Sequence, residues 1–478
     1  MFENFFLLLT KFLILYSVLY FTGRAFVIAI YKKEISKSKY FFFKISDIQA
    51  EFFFPLIGVF VIGNLSFIFN FFLPLNNLYP ILILLIFINI LNFKKRVLSS
   101  EIKNYFLSTW VFPVLISTSY LISFSYDAGL YHLNNQLWLR ESNIVLGFSN
   151  IYGPFGVSSI FEYISALLWF DKSFIFLHFL NIFFIGTFYQ FITYNLTLQT
   201  KPFLKNSSFI LLIFSILDNF GFNGGRNGFL YVQSAGNLDV SLAVIYFITS
   251  ILIFNALINK NFSDSNLKTF SFFSLFLFQL KVSSAPIFIF LIIYFFKYIR
   301  NKGLNNFIKN SYFVIFLAFL WTIKSVLHSG CIIFPFVPSC FNSLEWVNID
   351  YLKSTSEVSI AFSNSYNLGE NFLTWFNQYI EIPINKTIFY NFFLSFIVIL
   401  ILNFKNLKKI TNKEFYVYLN VFIIGNVLFY IIFGPDVRYI IGFQLFLVSS
   451  LGMYLKQSFI VNKKILIFTI ACSLFLVP

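Results

Sequence analysis

The sequence predicts an all-α fold, a polytopic transmembrane helical bundle of about 13–14 spans, with two large outer-face loops carrying short interfacial helices. Three observations carry this expectation. The 478 residues are 58% hydrophobic and 11% charged, with a mean hydropathy of +0.80, outside the range of soluble globular domains. Apolar runs close to bilayer-crossing length recur along the whole chain. The net charge of +15 is spread as short basic clusters between those runs, which is the positive-inside pattern and argues against a nucleic-acid partner. The 75 phenylalanines fit AT-rich coding and are given no functional weight.

Taken in order, residues 5–30 form a first span, too long for a signal-peptide core and followed by no small-residue cleavage site. Lys11 and Arg24 within it snorkel or face the bundle. A basic segment, Lys32 to Lys44, precedes span 2 (52–73), and a Pro74-Leu75-Asn76-Asn77 turn returns the chain as span 3 (78–93). Span 4 (105–125) delivers the chain to a polar stretch beginning at Tyr126. After a loop over 126–172, spans follow at 173–195, 204–218, 239–258, 269–280, 284–299 and 311–328. A second large loop covers 329–385, and spans at 387–404, 415–433, 438–455 and 464–478 complete the chain. The organisation is thus N-terminal transmembrane helices over 1–104, a core over 105–455 carrying both loops, and a C-terminal helix over 456–478.

Alternating the sides of these spans gathers most of the 34 basic residues on one face and most of the 19 acids on the other. The basic face is cytoplasmic by the positive-inside rule. Both large loops, the turn at Lys281 and the turn at Asp436 then lie on the outer face.

Several stretches on that face carry chemistry. Asp127 opens a short helix over 128–141 in which Leu130, Leu133 and Leu137 form one face and His132, Gln136 and Arg140 another. Such a helix suits the floor of an aqueous catalytic cavity, because ionisable groups at a membrane are costly to keep. The plainer reading makes Asp127 an N-cap and rests the helix on lipid. The glycine-rich run from Gly147 to Gly156 offers backbone N–H groups to a phosphate, or is an ordinary turn ahead of an apolar segment carrying Glu162. Arg226, in a Gly-Gly-Arg-Asn-Gly turn, is a phosphate ligand or a solvated loop arginine. Lys281 stands at an apolar boundary on the wrong side for the charge rule, so it needs a partner or an anionic ligand, or it snorkels. Asp436 and Arg438 form a local ion pair or bind substrate. Cys331 and Cys340, both on the outer face, suit a disulfide or stand as free thiols. No HExxH, CxxC pair, Walker or Rossmann spacing occurs, and three histidines exclude a histidine-rich metal site.

Read in order, Tyr126-Asp127-Ala128-Gly129-Leu130-Tyr131-His132, Trp138, Gly147-Phe148-Ser149-Asn150, Gly156, Lys281-Val282-Ser283, Ser329-Gly330, Pro335 and Pro435-Asp436-Val437-Arg438-Tyr439 resemble the motifs of a poorly characterised family of bacterial multi-pass membrane proteins. That family is itself similar to the GT-C class of lipid-linked-sugar glycosyltransferases. The resemblance covers about 105–445 and implies a GT-C-like core in the bacterial inner membrane, with its active site toward the periplasm. It implies an inverting transfer from a polyprenyl-phosphate sugar donor to a carbohydrate, lipid or protein acceptor, in cell-surface polysaccharide or glycoconjugate assembly. Asp127 takes the role of general base; His132, Arg140, Arg226, Lys281, Asp436 and Arg438 bind substrate or phosphate. A divalent metal, Mg or Mn, is an optional cofactor; no acid adjoins Asp127 to complete a metal-binding pair. Two other readings stay open: a flippase or transporter of lipid-linked oligosaccharide, favoured by Lys324 within a span, and an oligosaccharide polymerase.

Overall fold

The computed structural model describes residues 2–31, 44–78, 109–157, 159–170, 174–198, 201–220, 230–362, 371–407, 414–433, 437–455 and 461–475. In chain order the α-helices are α1 (Phe2–Ile30), α2 (Phe54–Asn70), α3 (Phe112–Ile116), α4 (Leu133–Glu141), α5 (Ile160–Leu167) and α6 (Ile175–Thr197). They continue as α7 (Pro202–Phe220), α8 (Asp239–Ile258), α9 (Asp264–Leu280), α10 (Ile287–Lys302), α11 (Leu304–Ser329) and α12 (Ile349–Phe362). The last are α13 (Phe372–Glu381), α14 (Pro383–Leu407), α15 (Glu414–Phe433), α16 (Val437–Ser450) and α17 (Lys463–Phe475). Among the described residues the only strands are a two-residue antiparallel pair, Lys44–Ile45 with Ile48–Gln49, closed by Ser46 and Asp47 at positive φ.

The fold is all-α, and six helical segments are long and apolar enough to cross a membrane: Asn4–Ile30, Ala50–Asn70, Ile175–Thr197, Asp239–Ile258, Leu304–Ser329 and Glu414–Phe433. Each coincides with an expected span. Several other expected spans appear as shorter helices, such as α9 with 17 residues, α10 with 16, α16 with 14 and α17 with 13. Span 3 falls almost wholly outside the described residues.

The described part of span 4 is not one continuous helix. The hydroxyls of Ser117 and Thr118 donate to the carbonyls of Val114 and Leu115, each at 2.6 Å. Such local bonds compete with α-helical pairing, and the chain tightens into a 3₁₀ turn over Ser117–Leu121 before running extended.

The chain divides into two compact units. The first comprises 1–190, 232–238 and 312–355; the second comprises 191–231, 239–311 and 356–478. In the first, α1 and α2 pack closely through glycines. A Cβ on Gly23 would overlap the Phe54 carbonyl, and one on Gly58 would overlap the Leu19 carbonyl. Small residues that let backbones approach are the usual device for packing helices in a lipid environment. In the second unit, α8 packs on α16, where Gly442 lies against Tyr246 and the Ala243 carbonyl. Phe290 stacks on Phe422 with ring centroids 3.7 Å apart, and Phe254 and Phe446 close around them. These four phenylalanines thus pack the interior of the second unit.

Several polar residues inside these apolar helices bond back to their own helix. Asn64 donates to the Phe60 carbonyl, Ser66 to Ile62, Thr187 to Phe183 and Asn426 to Phe422, all at 2.7–3.0 Å. Bonding back one turn keeps such groups tolerable where water is absent.

Candidate functional site

In the first unit, the stretch around Asp127 is fixed from one side by the segment 233–236. Phe124 bridges Ala235 in parallel: Ala235 N–H donates to the Ser123 carbonyl at 2.9 Å and Ser125 N–H to the Ala235 carbonyl at 3.2 Å. Asn181 in turn holds the carbonyls of Gln233 and Ser234, each at 3.1 Å. Gly236, at φ +96°, passes against Ala128 where a Cβ would collide.

Asp127 stands at the start of the helical segment but does not cap it. Its carboxylate accepts no capping hydrogen bond, and the Ala128 N–H is taken at 3.0 Å by Ser125 Oγ. The side chain is half-buried, and its carboxylate has no hydrogen bond or ion pair among the described residues. A π-helical turn, Ala128–His132, leads into α4. Turns of this kind re-aim side chains and often occur at functional sites.

The two faces of this segment are arranged opposite to the simplest expectation. His132, Gln136 and Arg140 do form one stripe, but it is the stripe packed on α5. His132 Nδ1 meets Glu162 Oε1, Gln136 Nε2 donates to Glu162 Oε2 at 2.7 Å, and Arg140 donates to the Ala166 carbonyl at 2.8 Å. Trp169 Nε1–H completes the set by donating to Gln136 Oε1 at 2.7 Å. The i, i+4, i+8 spacing on one helix meets the i, i+4 spacing of Glu162 and Ala166 on the other. Leu130 and Leu137, by contrast, are 42% and 46% exposed.

Every residue of α5 is buried, so this part of the expected loop lies in the interior of its unit. Glu162 was visible in the sequence as a lone acid in an apolar segment, the pattern expected of a functional or specifically paired group. Its partners were not visible, because they lie 26 and 30 positions away on another helix.

Lys324 and His328 on α11 add to the buried polar content of this unit. Lys324 is fully buried, and its Nζ has no hydrogen-bond partner among the described residues. It lies 4.4 Å from the Trp321 ring centroid and 5.3 Å from that of Tyr163. Both ring nitrogens of buried His328 are likewise without a hydrogen-bond partner among the described residues.

The glycine-rich turn at 147–156 uses its N–H groups internally. Gly147 N–H donates to the Leu327 carbonyl at 2.9 Å and Gly153 N–H to Tyr351 Oη at 2.7 Å, while Asn150 reaches the Trp346 carbonyl at 2.6 Å. The turn therefore docks the segment at 346–351. That segment packs on the Cys331–Cys340 disulfide, whose buried Cys331 clusters with Phe334 and Leu352.

In the second unit, Lys281 and Arg438 share one carboxylate. Lys281 Nζ lies 3.0 Å from Asp239 Oδ1, and Arg438 Nη1 lies 4.0 Å from Asp239 Oδ2. Burial disfavours the Lys281 ammonium, but the Asp239 carboxylate beside it outweighs that cost and its pKa is raised. The Tyr439 ring lies beneath both cations, 4.2 Å from Lys281 Nζ and 5.9 Å from the Arg438 guanidinium carbon. Arg226 and Asp436 lie outside the described residues.

Among the described residues a divalent metal finds no matching donor set. Among the described residues no three His, Cys, Asp or Glu side chains come together, and no second acid joins Asp127. Mg²⁺ and Mn²⁺ call for several oxygen ligands, which no cluster of these residues supplies.

No curated protein and no solved structure matches the chain. A family model does, over residues 5–445, and its description is "Domain of unknown function (DUF8201)". With that match spanning nearly the whole sequence, the chain belongs to the DUF8201 family.

Proposed function

We propose that the chain is an inverting membrane glycosyltransferase that moves a sugar from a polyprenyl-phosphate donor to an acceptor hydroxyl at the outer face of the bacterial inner membrane. The single observation that carries the proposal is Asp127: a half-buried carboxylate, relieved of capping by Ser125 and left without a partner among the described residues. A general base needs a carboxylate free to take a proton, held in fixed geometry. Asp127 takes the acceptor's hydroxyl proton. The acceptor oxygen bonds to the anomeric carbon as the bond from that carbon to the phosphate oxygen breaks. Its electron pair leaves with the polyprenyl phosphate. The displacement passes through an oxocarbenium-like state, and a phosphate leaving group needs no protonation, so one carboxylate suffices. In the same unit, the ladder from His132, Gln136 and Arg140 to α5 holds the acceptor-side helix rigid.

The test is transfer of labelled sugar from a polyprenyl-phosphate donor in membranes containing wild type or Asp127→Asn. The proposal expects a loss of about 100-fold or more, the scale of a removed general base. A wild-type rate from the variant removes the base assignment.

A second reading, a transporter of lipid-linked oligosaccharide, is favoured by one observation. Lys324 is a fully buried cation without a hydrogen-bond partner among the described residues, on a helix long enough to span a membrane. Ionisable residues in such positions often mark substrate paths. Loss of lipid-linked sugar translocation in reconstituted vesicles on Lys324→Met, with transfer activity absent from the wild type, supports this reading over the first.

A further inference from the structure

In the second unit, α10 and α11 meet at an elbow on Gly303, which has φ +85° and where a Cβ would meet nothing within 4 Å. Phe295 and Phe307 hold the two helices together there, with ring centroids 4.8 Å apart, and Asn310 Nδ2 donates to Tyr298 Oη at 3.2 Å. Two features of this elbow belong together. The first is charge. Arg300 and Lys302, in the last turn of α10, and Lys309, in the second turn of α11, are all exposed. None of the three side chains has an ion pair or hydrogen bond among the described residues. Cations at a helix C-terminus complement the helix dipole, which accounts for Arg300 and Lys302 but not for Lys309. Two acids reach α10 nearby, and both are engaged. Asp264 accepts from Tyr298 Oη at 2.7 Å, and Glu414 lies 3.1 Å from Lys297 Nζ and accepts from Tyr418 Oη at 2.9 Å. The second feature is an apolar stripe. Ile292 and Phe296 are 50% and 71% exposed, and i, i+4, i+8 spacing puts Arg300 on the same face of α10. Past the elbow, Leu304 and Ile308 are 56% and 50% exposed.

From this we infer that the elbow is a docking surface for an anionic phospholipid, with Arg300, Lys302 and Lys309 at the headgroup phosphate and Ile292 and Phe296 along an acyl chain. Charge complementarity names the occupant. An apolar stripe alone suits any lipid tail. Three cations at its end suit a headgroup of net negative charge, whereas a zwitterionic headgroup cancels most of that attraction. Long basic side chains are well built for the position, because their stems lie on apolar surface while their charged heads reach the headgroup level. A soluble anion would use the charges and leave the stripe exposed to water, which is costly for a patch of large apolar side chains. Docking of this kind needs the chain in a bilayer and no sugar to transfer, so it goes beyond the proposed function and does not depend on Asp127 being a base.

The test uses the full-length protein purified in an uncharged detergent. Lipid retained on it is counted by native mass spectrometry on titration with phosphatidylglycerol, and separately with phosphatidylcholine of the same chains. Phosphatidylglycerol is expected to bind more tightly, by a margin that shrinks as salt rises. Arg300→Gln, Lys302→Gln and Lys309→Gln should each weaken phosphatidylglycerol binding about fivefold, and the three together about 100-fold, with phosphatidylcholine binding unchanged. All three side chains are exposed, so the thermal midpoint of each variant should match wild type and reports its folding. Lys353→Gln, which removes an exposed charge from the first unit, should bind as wild type. Asp127→Asn should also bind as wild type, so a failed base assignment leaves this result readable. Inorganic phosphate should not displace the lipid; displacement assigns the cations to free phosphate and overturns the inference. It is overturned equally if wild type holds the two lipids alike, or if the folded triple variant keeps its hold on phosphatidylglycerol.

Discussion

Lys281 Nζ lies 3.0 Å from Asp239 Oδ1, and only 6% of the aspartate side chain reaches the surface. Removing one member of such a pair strands a charge in a poorly solvated place. Asp239→Asn and Lys281→Met should each lower stability by about 2–3 kcal/mol, discounted from the fully buried range because 24% of the lysine side chain is exposed. The double variant should lose less than the sum, and a thermal double-mutant cycle measures the difference. The pH dependence has a definite sign. The Lys281 pKa is raised in the folded protein, against the cost of burial, by Asp239. Its contribution is therefore complete below the unfolded lysine value of about 10.4 and fades only as pH climbs through the higher folded value. The midpoint gap between wild type and Lys281→Met should stay constant from about pH 6 to 9. A gap that shrinks within that window contradicts the pairing.

Glu162 is the anchor of the first unit, binding His132 through one carboxylate oxygen and Gln136 through the other. Glu162→Gln removes the charge and leaves at least one buried group poorly matched. A loss of about 1–3 kcal/mol is expected, read as a lower thermal midpoint in detergent. Leu137→Gln, on the exposed face of the same helix, should move the midpoint by less in detergent micelles that the new amide can escape. Equal losses from the two changes would show that the stripe of His132, Gln136 and Arg140 is not the interior face.

What the sequence disclosed and what it withheld follow a physical division. The long apolar helices were legible because length and hydropathy are local properties; α8, from Asp239 to Ile258, matches its expected span residue for residue. The stripe of His132, Gln136 and Arg140 was legible as a stripe, but not the direction it faces, which depends on Glu162 in a different helix. The break in span 4 turns on hydroxyls at Ser117 and Thr118 that average hydropathy does not register. Lys281 was recognisable as a charge needing a partner. That the partner is Asp239, at the head of α8, is a tertiary fact.

The Cys331–Cys340 disulfide closes a short loop against Phe334 and Leu352. Its removal by the paired substitution Cys331→Ser and Cys340→Ser should cost about 2–4 kcal/mol, seen as a lower midpoint that matches reduced wild type. The bond also reports orientation. In intact cells of a Cys472→Ser background, a membrane-impermeant reductant followed by an impermeant maleimide should label this loop if it faces outward. Labelling only after the cells are opened places the loop on the cytoplasmic side.

The crossing of α1 and α2 depends on Gly58, whose missing side chain leaves room for the Leu19 carbonyl. Gly58→Val sets a branched side chain against backbone that cannot move aside without parting the helices. A severe loss is expected, about 3 kcal/mol or more, with little monodisperse protein recovered on size exclusion. Gly129→Ala, where a Cβ would meet nothing within 4 Å, is the matched control and should behave as wild type.

The central claim is that Asp127 is a base rather than a structural cap. It is tested most directly by sugar transfer from a polyprenyl-phosphate donor in membranes carrying Asp127→Asn, alongside the thermal midpoint of the purified variant. The account predicts transfer reduced about 100-fold or more with the midpoint unchanged, because Ser125 already caps the helix and the carboxylate has no partner among the described residues to lose. Transfer at the wild-type rate, or a midpoint that falls in step with activity, contradicts it.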